Sequence, residues 1–168
     1  MGLFTKLFGK PDNTPAYDGN KIYSPMNGKV VPITEVPDPT FAECLLGNGV
    51  ALLPTDGKVY SPVDGTVETM FDTGHAVCLK SCTGVEILIH LGLETVGLNG
   101  APFTLHCKDG DKVKKGQLLF AADLEAIQAA GLPIITPVLV CNVDDYSTIE
   151  TFVGQDVTND DVIISVAR

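Results

Sequence analysis

Between residues 21 and 168 the apolar positions come in short runs rich in Val, Ile and Leu, such as GVALLP at 49–54, GVEILIHL at 84–91 and TPVLV at 136–140. The segments between them carry Gly, Pro, Asn and Asp, a punctuation that predicts strands and tight turns and leaves little room for helix. Alternation within 85–91 puts Glu86, Leu88 and His90 on one face and Val85, Ile87, Ile89 and Leu91 on the other. One short helix is expected in DLEAIQAAG, with Asp123 as N-cap and Gly131 as the stop. The segment YSPMNGKV at 23–30 recurs as YSPVDGTV at 60–67, and each copy reads as a strand-turn-strand corner. Asn27-Gly28 and Asp64-Gly65 are expected to occupy turn positions with φ > 0, and DGDKVKKGQLL at 109–119 reads as a third corner. The expected fold is all-β: an antiparallel β-sandwich or barrel of short strands with an internal repeat, one short helix and a flexible N-terminal tail.

Residues 71–96 form two apolar runs around the polar turn Ser81-Cys82-Thr83-Gly84, which predicts a hairpin. With the turn centred between Cys82 and Thr83, Lys80 faces Val85, Cys78 faces Ile87 and His75 faces His90. Directly opposed residues have Cβ atoms about 4.5–5.5 Å apart on one sheet face. A bulge at Gly84 would shift this register by one residue.

Residues 1–20 differ from the rest. MGLFTKLFGK carries Leu3, Phe4, Leu7 and Phe8 at helical spacing beside Lys6 and Lys10, and PDNTPAYDGN then reads as linker. The expected division is an amphipathic tail and linker at 1–20 and one domain at 21–168. The tail either makes weak contact with an anionic membrane surface or docks on its own domain. Lys6 stands where a myristoylation motif needs Ser or Thr.

The 168 residues suffice for one core, and 45% hydrophobic against 19% charged residues excludes disorder for most of the chain. A formal charge of −10 works against nucleic acid and favours partners with basic patches. No apolar run approaches the roughly 20 residues that span a bilayer, and no secretory leader is evident. The five cysteines are scattered and odd in number, as suits reduced thiols. The chain therefore reads as cytoplasmic, with peripheral contact at the inner membrane face left to the tail.

A single histidine in an apolar strand is more often a satisfied core residue than a reactive one. A facing pair is different, because two apposed imidazoles resist joint protonation, leaving a neutral ring to act as nucleophile, base or metal ligand. Zinc would take His75 and His90 as two ligands and need a third, with Glu94, Asp72 or a cysteine as options. Acid–base catalysis would need an orienting carboxylate in a pocket. In phosphoryl transfer one ring nitrogen attacks phosphorus while the second imidazole donates to the phosphoryl oxygens. Thr73, two residues before His75, is placed to fix its tautomer.

GVEILIHLGLETV at 84–96 resembles the active-site signature of the glucose-family IIA component of the bacterial phosphoenolpyruvate-dependent sugar phosphotransferase system: Gly, two free positions, three aliphatics, then His-aliphatic-Gly-aliphatic-x-Thr-aliphatic. The likeness extends through SPMNGKV, VPDPTFAE, GNGVALLP, SPVDGTV, FDTGHAV, GDKVKKGQLL and ITPVLVCN in the family's order. It implies an antiparallel β fold and a phosphocarrier in which His90 accepts a phosphoryl group from the carrier protein HPr. His90 would then pass the group to an EIIB domain of an EIIB/EIIC sugar permease, with His75 stabilising the phosphoryl group and Thr73 supporting His75. It further implies a shallow apolar docking surface at Phe41, Leu45, Leu46, Phe71 and Leu88, rimmed by Asp38, Glu94 and Asp144, and regulatory target proteins beside the transport partners. No cofactor is required, although zinc held by His75 and His90 at a partner interface is a further option. Leu88 stands where Phe is common, Glu94 where Asp is common, and GAPF at 100–103 replaces a more polar stretch.

Three rival readings fit the residues less well. A zinc hydrolase of a related β scaffold normally shows an HxH ligand pair, which His90-Leu91-Gly92 is not. A biotinyl- or lipoyl-type carrier needs a displayed lysine, for which Asn27-Gly28-Lys29 is a poor substitute. A purely regulatory module on the same fold has no use for both histidines.

Overall fold

This computed structural model describes residues 18–168; the amphipathic tail and the membrane contact expected of it lie outside the described residues. Fourteen strands are seen there: β1 (Lys21–Tyr23), β2 (Gly28–Pro32), β3 (Asn48–Pro54), β4 (Lys58–Tyr60), β5 (Gly65–Met70), β6 (Ala76–Ser81), β7 (Glu86–His90), β8 (Phe103–Leu105), β9 (Lys112–Val113), β10 (Leu118–Ala122), β11 (Thr136–Val140), β12 (Thr148–Thr151), β13 (Asp156–Val157) and β14 (Val162–Ala167). Eight form one sheet in the order β13-β2-β3-β11-β7-β6-β5-β9, and two three-stranded sheets, β1-β14-β12 and β4-β10-β8, complete the set. Neighbouring strands run antiparallel. The all-β expectation holds.

Alternation sorts the large sheet into two apolar faces. Val30, Val50, Leu52, Val67, Val77, Leu79, Ile87, Ile89, Val138 and Val140 point into the main core, against Ile22, Ile163 and Ile164 from one small sheet and Val59, Leu119 and Phe120 from the other. Val31, Ala51, Ala76, Leu88 and Leu139, one residue out of phase, carry a second cluster with Ile33, Val36, Phe41, Leu93 and Ile135. The covering segment includes a helix absent from the sequence expectations, α1 (Pro39–Ala42), capped by the Asp38 carboxylate accepting from the Thr40 amide at 2.9 Å and started by Pro39. At one turn it is too short to show periodicity. The expected helix, α2 (Leu124–Ala129), has Asp123 accepting from the Ala126 amide at 3.1 Å and Gly131 at φ +80°.

The repeat is a structural pair. Each copy carries the chain between sheets, and the copies clasp one another: the Tyr23 amide donates to Pro62 O at 3.1 Å and the Tyr60 amide to Pro25 O at 2.8 Å. The Ser24 hydroxyl donates to Met26 O at 2.6 Å and the Ser61 hydroxyl to Val63 O at 2.7 Å. Gly28 and Gly65 are not among the positive-φ residues, contrary to expectation. Their requirement is space, because a Cβ on Gly28 would lie 2.3 Å from Leu53 O and one on Gly65 2.1 Å from Lys80 O.

Candidate functional site

The hairpin forms, but its register differs from the expected one. Lys80 pairs with Glu86, Cys78 with Leu88, and His90 with Ala76 instead of His75. The cause is the loop: the Ser81 amide donates to Val85 O at 2.8 Å, leaving Cys82, Thr83 and Gly84 as a three-residue turn with Gly84 at φ +96°. The Ser81 hydroxyl accepts from the Val85 amide at 2.9 Å and reinforces that closure.

The two imidazoles meet nonetheless. β6 begins at Ala76, and just before it the chain turns through Gly74 at φ +73°, whose amide donates to Phe71 O at 2.7 Å. His75 therefore escapes the face alternation that would direct it into the main core. Its ring lies 5.0 Å from that of His90, centroid to centroid, at 78°. Phe71 meets His75 edge-on at 5.3 Å, and Phe41 lies 5.1 Å from His90.

Each ring has its Nδ1 engaged. His90 Nδ1 is 2.7 Å from the carbonyl oxygen of Gly92. A carbonyl only accepts, so Nδ1 carries the proton and the lone pair resides on Nε2. His75 Nδ1 is 2.6 Å from the Thr73 hydroxyl, which can hold either tautomer. Burial and the neighbouring His90 push the His75 imidazole down to about 4. Burial also lowers His90, opposed by the Gly92 carbonyl and by the negative charges of Asp38 and Glu94. Both rings are thus neutral near pH 7, one offering a lone pair at Nε2.

The expected surroundings divide into three groups. Phe41 and Leu88 are buried and form the floor. Leu45, Leu46 and Phe71 are exposed at 69%, 46% and 37%, Phe71 beside His75 and the two leucines in the segment that follows α1. Asp38 and Glu94 bear on His90 electrostatically. Asp144 sits apart, in the turn Val143–Asp145 next to Asn142, whose side-chain oxygen accepts from the Glu86 amide at the opposite end of β7 from His90.

Two features were not anticipated. Leu105, 41% exposed, lies against the Gly74 turn and adds apolar surface beside His75; its run was too short to distinguish from core. The Gly92 carbonyl is a backbone group, and a residue pattern carries no signal for where such an oxygen points. The third histidine, His106, is exposed, and its amide belongs to the β8–β10 pairing.

A neutral, oriented nucleophile beside a second imidazole, on an apolar surface with acids close by, suits transfer between two proteins better than turnover of a small molecule in a cleft. The profile of the family described as phosphoenolpyruvate-dependent sugar phosphotransferase system, EIIA 1, matches residues 20–146. The chain belongs to that family.

Among EIIA relatives, the glucose-specific EIIA component of Halalkalibacterium halodurans is 45% identical over 152 residues, covering 88% of each chain. The glucose-specific EIICBA component of Staphylococcus saprophyticus is 45% identical over 145 residues, which are 86% of this chain and 21% of that one. The glucose permease IIA of Mycoplasma capricolum superposes with a TM-score of 0.80 at 32% identity, covering 86% of this chain and 93% of that structure. As an EIIA chain, the protein is a component of a phosphotransferase system. Among the described residues no group of three or more His, Cys, Asp or Glu side chains is placed to hold a metal ion, and no helix is long and apolar enough to cross a membrane.

Proposed function

We propose that His90 Nε2 accepts a phosphoryl group from phosphorylated HPr and passes it to the EIIB domain of a sugar permease. The observation that carries this is the pair itself: a neutral His90 whose Nδ1–H is tied to Gly92 O, with His75 set against it. The Nε2 lone pair forms the new N–P bond as the donor's N–P bond breaks, and that electron pair returns to the donor's ring nitrogen. Positive charge developing on His90 is met by the Nδ1–H bond to Gly92. The Thr73 hydroxyl donates to His75 Nδ1, so that His75 carries its proton on Nε2 and donates it to the phosphoryl oxygens, whose charge must be met by positioned donors. Onward transfer is the same displacement with EIIB as acceptor.

The apolar surface of Phe41, Leu45, Leu46, Phe71 and Leu88 excludes water from the reactive bond, while Asp38 and Glu94 favour partners with a basic face. The EIICBA relative, which names EIIA, EIIB and EIIC in one chain, supports EIIB as the recipient. Asp144, at the opposite end of β7 from His90, has no part in this surface. Zinc would find two ligands in His75 and His90 and would need a carboxylate or thiolate from a partner to complete its set.

The test is reconstitution with phosphoenolpyruvate, enzyme I and HPr. Acid-labile phosphate is expected on the wild-type protein and absent from His90→Ala. Failure to label wild type, or full labelling of His90→Ala, overturns the proposal.

A further inference from the structure

Of the motif residues in 84–96, Thr95 has no role in the chemistry above, although its side chain is fully buried. Its hydroxyl donates to the carbonyl of Leu91 at 2.6 Å. The other side of the same residue is held too, because the Leu91 amide donates to the carbonyl of His75 at 2.7 Å. Leu91 is thereby fixed between His75 and Thr95.

The next residue decides the state of His90. Gly92 sits at φ +73°, and its α-carbon is boxed in: a Cβ there would come within 2.7 Å of both Thr95 Cγ2 and Pro133 O. The Leu93 amide donates to that same Pro133 oxygen at 3.2 Å. With the Leu91 carbonyl held by the hydroxyl, the Gly92 α-carbon seated against the methyl and the Leu93 amide tied to Pro133, the Gly92 carbonyl is aimed at His90 Nδ1, 2.7 Å away. Thr95 is also the first residue of the turn Thr95–Leu98, entered through Glu94 at φ +62°, a left-handed conformation that a non-glycine residue holds only when its surroundings enforce it.

We propose that Thr95 is the positioning residue that sets the tautomer of His90, its hydroxyl fixing the Leu91–Gly92 peptide so that the Gly92 carbonyl keeps the ring proton on Nδ1 and the lone pair on Nε2. In water the neutral imidazole of histidine favours the opposite tautomer, with its proton on Nε2 and no lone pair there to attack phosphorus. Loss of the hydroxyl leaves the Leu91 carbonyl without its partner and releases the peptide. His90 then returns toward the solution tautomer without losing a single contact to a docking protein. The same hydroxyl steadies the Leu91 amide under His75, so one side chain holds both members of the pair. This deepens the phosphoryl-transfer reading and rests on it only for its effect on rate.

Two substitutions separate the halves of the side chain. Thr95→Val keeps the shape and removes the hydroxyl; Thr95→Ser keeps the hydroxyl and removes the methyl. The first readout is the ¹⁵N spectrum of the His90 ring in the unphosphorylated protein, above pH 7. Wild type and Thr95→Ser are expected to show a protonated Nδ1 and a bare Nε2, and Thr95→Val to show shifts moved toward a mixture of tautomers. The second readout is phosphoryl acceptance from phosphorylated HPr, expected to fall about tenfold or more in Thr95→Val and to stay within about twofold of wild type in Thr95→Ser. A wild-type ring spectrum in folded Thr95→Val overturns the assignment. Should Thr95→Val not fold, a mixed spectrum in Thr95→Ser overturns it equally. A wild-type protein with the Nδ1–H tautomer that takes no phosphoryl group would sink the phosphocarrier reading and leave the positioning role standing.

Discussion

The rings of His75 and His90 meet edge to face, centroids 5.0 Å apart and planes at 78°. At that distance a charge on one disfavours a charge on the other, and burial acts in the same direction on both. His75 is held down to about 4 in the folded protein, whereas in the unfolded chain it titrates near the ordinary value of about 6.5. The unfolded state therefore binds more protons between those values, and stability must rise with pH across that window. His75's contribution is full above about pH 6.5 and is lost as pH falls toward 4. Urea unfolding at pH 7.5 and pH 4.5, compared between wild type and His75→Gln, isolates it from the carboxylates: the drop on acidification should be smaller in the variant. An equal drop in both proteins contradicts the buried neutral imidazole.

His75→Gln also tests the role of this ring in the chemistry. Glutamine presents a neutral amide donor of similar reach without the imidazole's fixed geometry, so the fold should persist while phosphoryl stabilisation weakens. Onward transfer to EIIB is expected to slow by about 10- to 100-fold, with labelling of His90 from HPr still detectable. Rapid-quench transfer assays beside circular dichroism check this. A collapse of the dichroism spectrum would instead make His75 a core residue whose loss is structural.

Thr73→Val removes the hydroxyl 2.6 Å from His75 Nδ1 and leaves a side chain of nearly the same volume. The His75 ring loses its orienting partner, and its nitrogens should report mixed tautomers. Transfer should slow by about tenfold with His90 unchanged in its own ¹⁵N spectrum. If His90 shifts as strongly as His75, the hydroxyl acts on the whole pair and not on His75 alone.

The strands, the repeat and α2 were legible because each depends on local pattern: alternation in 85–91, turn residues at the corners, and the DLEAIQAAG cap and stop. What was not legible depends on backbone conformation or on distant chain. The register was misplaced because Gly84 makes a three-residue loop where a two-residue turn was expected, and His75 still reached His90 only because Gly74 turns the chain just before β6. Asp38, a rim acid by resemblance, is also a helix cap. Asp144, grouped with it by resemblance, falls at the other end of β7. Gly28 and Gly65 were recognised as necessary for a reason that the structure replaces with another.

That replacement can be measured. If Gly65 were needed for its φ, any turn-compatible residue such as Asn would serve. Here a Cβ would lie 2.1 Å from Lys80 O and 2.8 Å from Ser81 Cα, both backbone atoms of the neighbouring strand. Gly65→Ala and Gly65→Asn should both destabilise by about 2–3 kcal/mol. Gly97, with nothing within 4 Å of its built Cβ, should accept Ala within about 1 kcal/mol. Thermal melts of the three variants discriminate, and a well-tolerated Gly65→Asn would restore the turn-conformation explanation.

Asp38→Asn separates the two roles of that residue. Asparagine caps a helix about as well as aspartate, so the Thr40 amide keeps its acceptor, α1 stays in place and melting should not move. Only the charge is lost. Association with a basic partner should slow about threefold at low salt, with a shallower dependence of rate on ionic strength, since steering by surface charge is screened over roughly 10 Å at 0.1 M. The charge of Asp38 also raises the His90 imidazole, so its removal should extend the neutral ring to lower pH and move the acid limb of phosphoryl acceptance in the same direction. Stopped-flow binding at two salt concentrations and a pH profile of single-turnover labelling read the two effects separately. An unchanged salt slope with an unchanged acid limb would reduce Asp38 to a cap, and Glu94 would then be the acid that acts on both His90 and the partner.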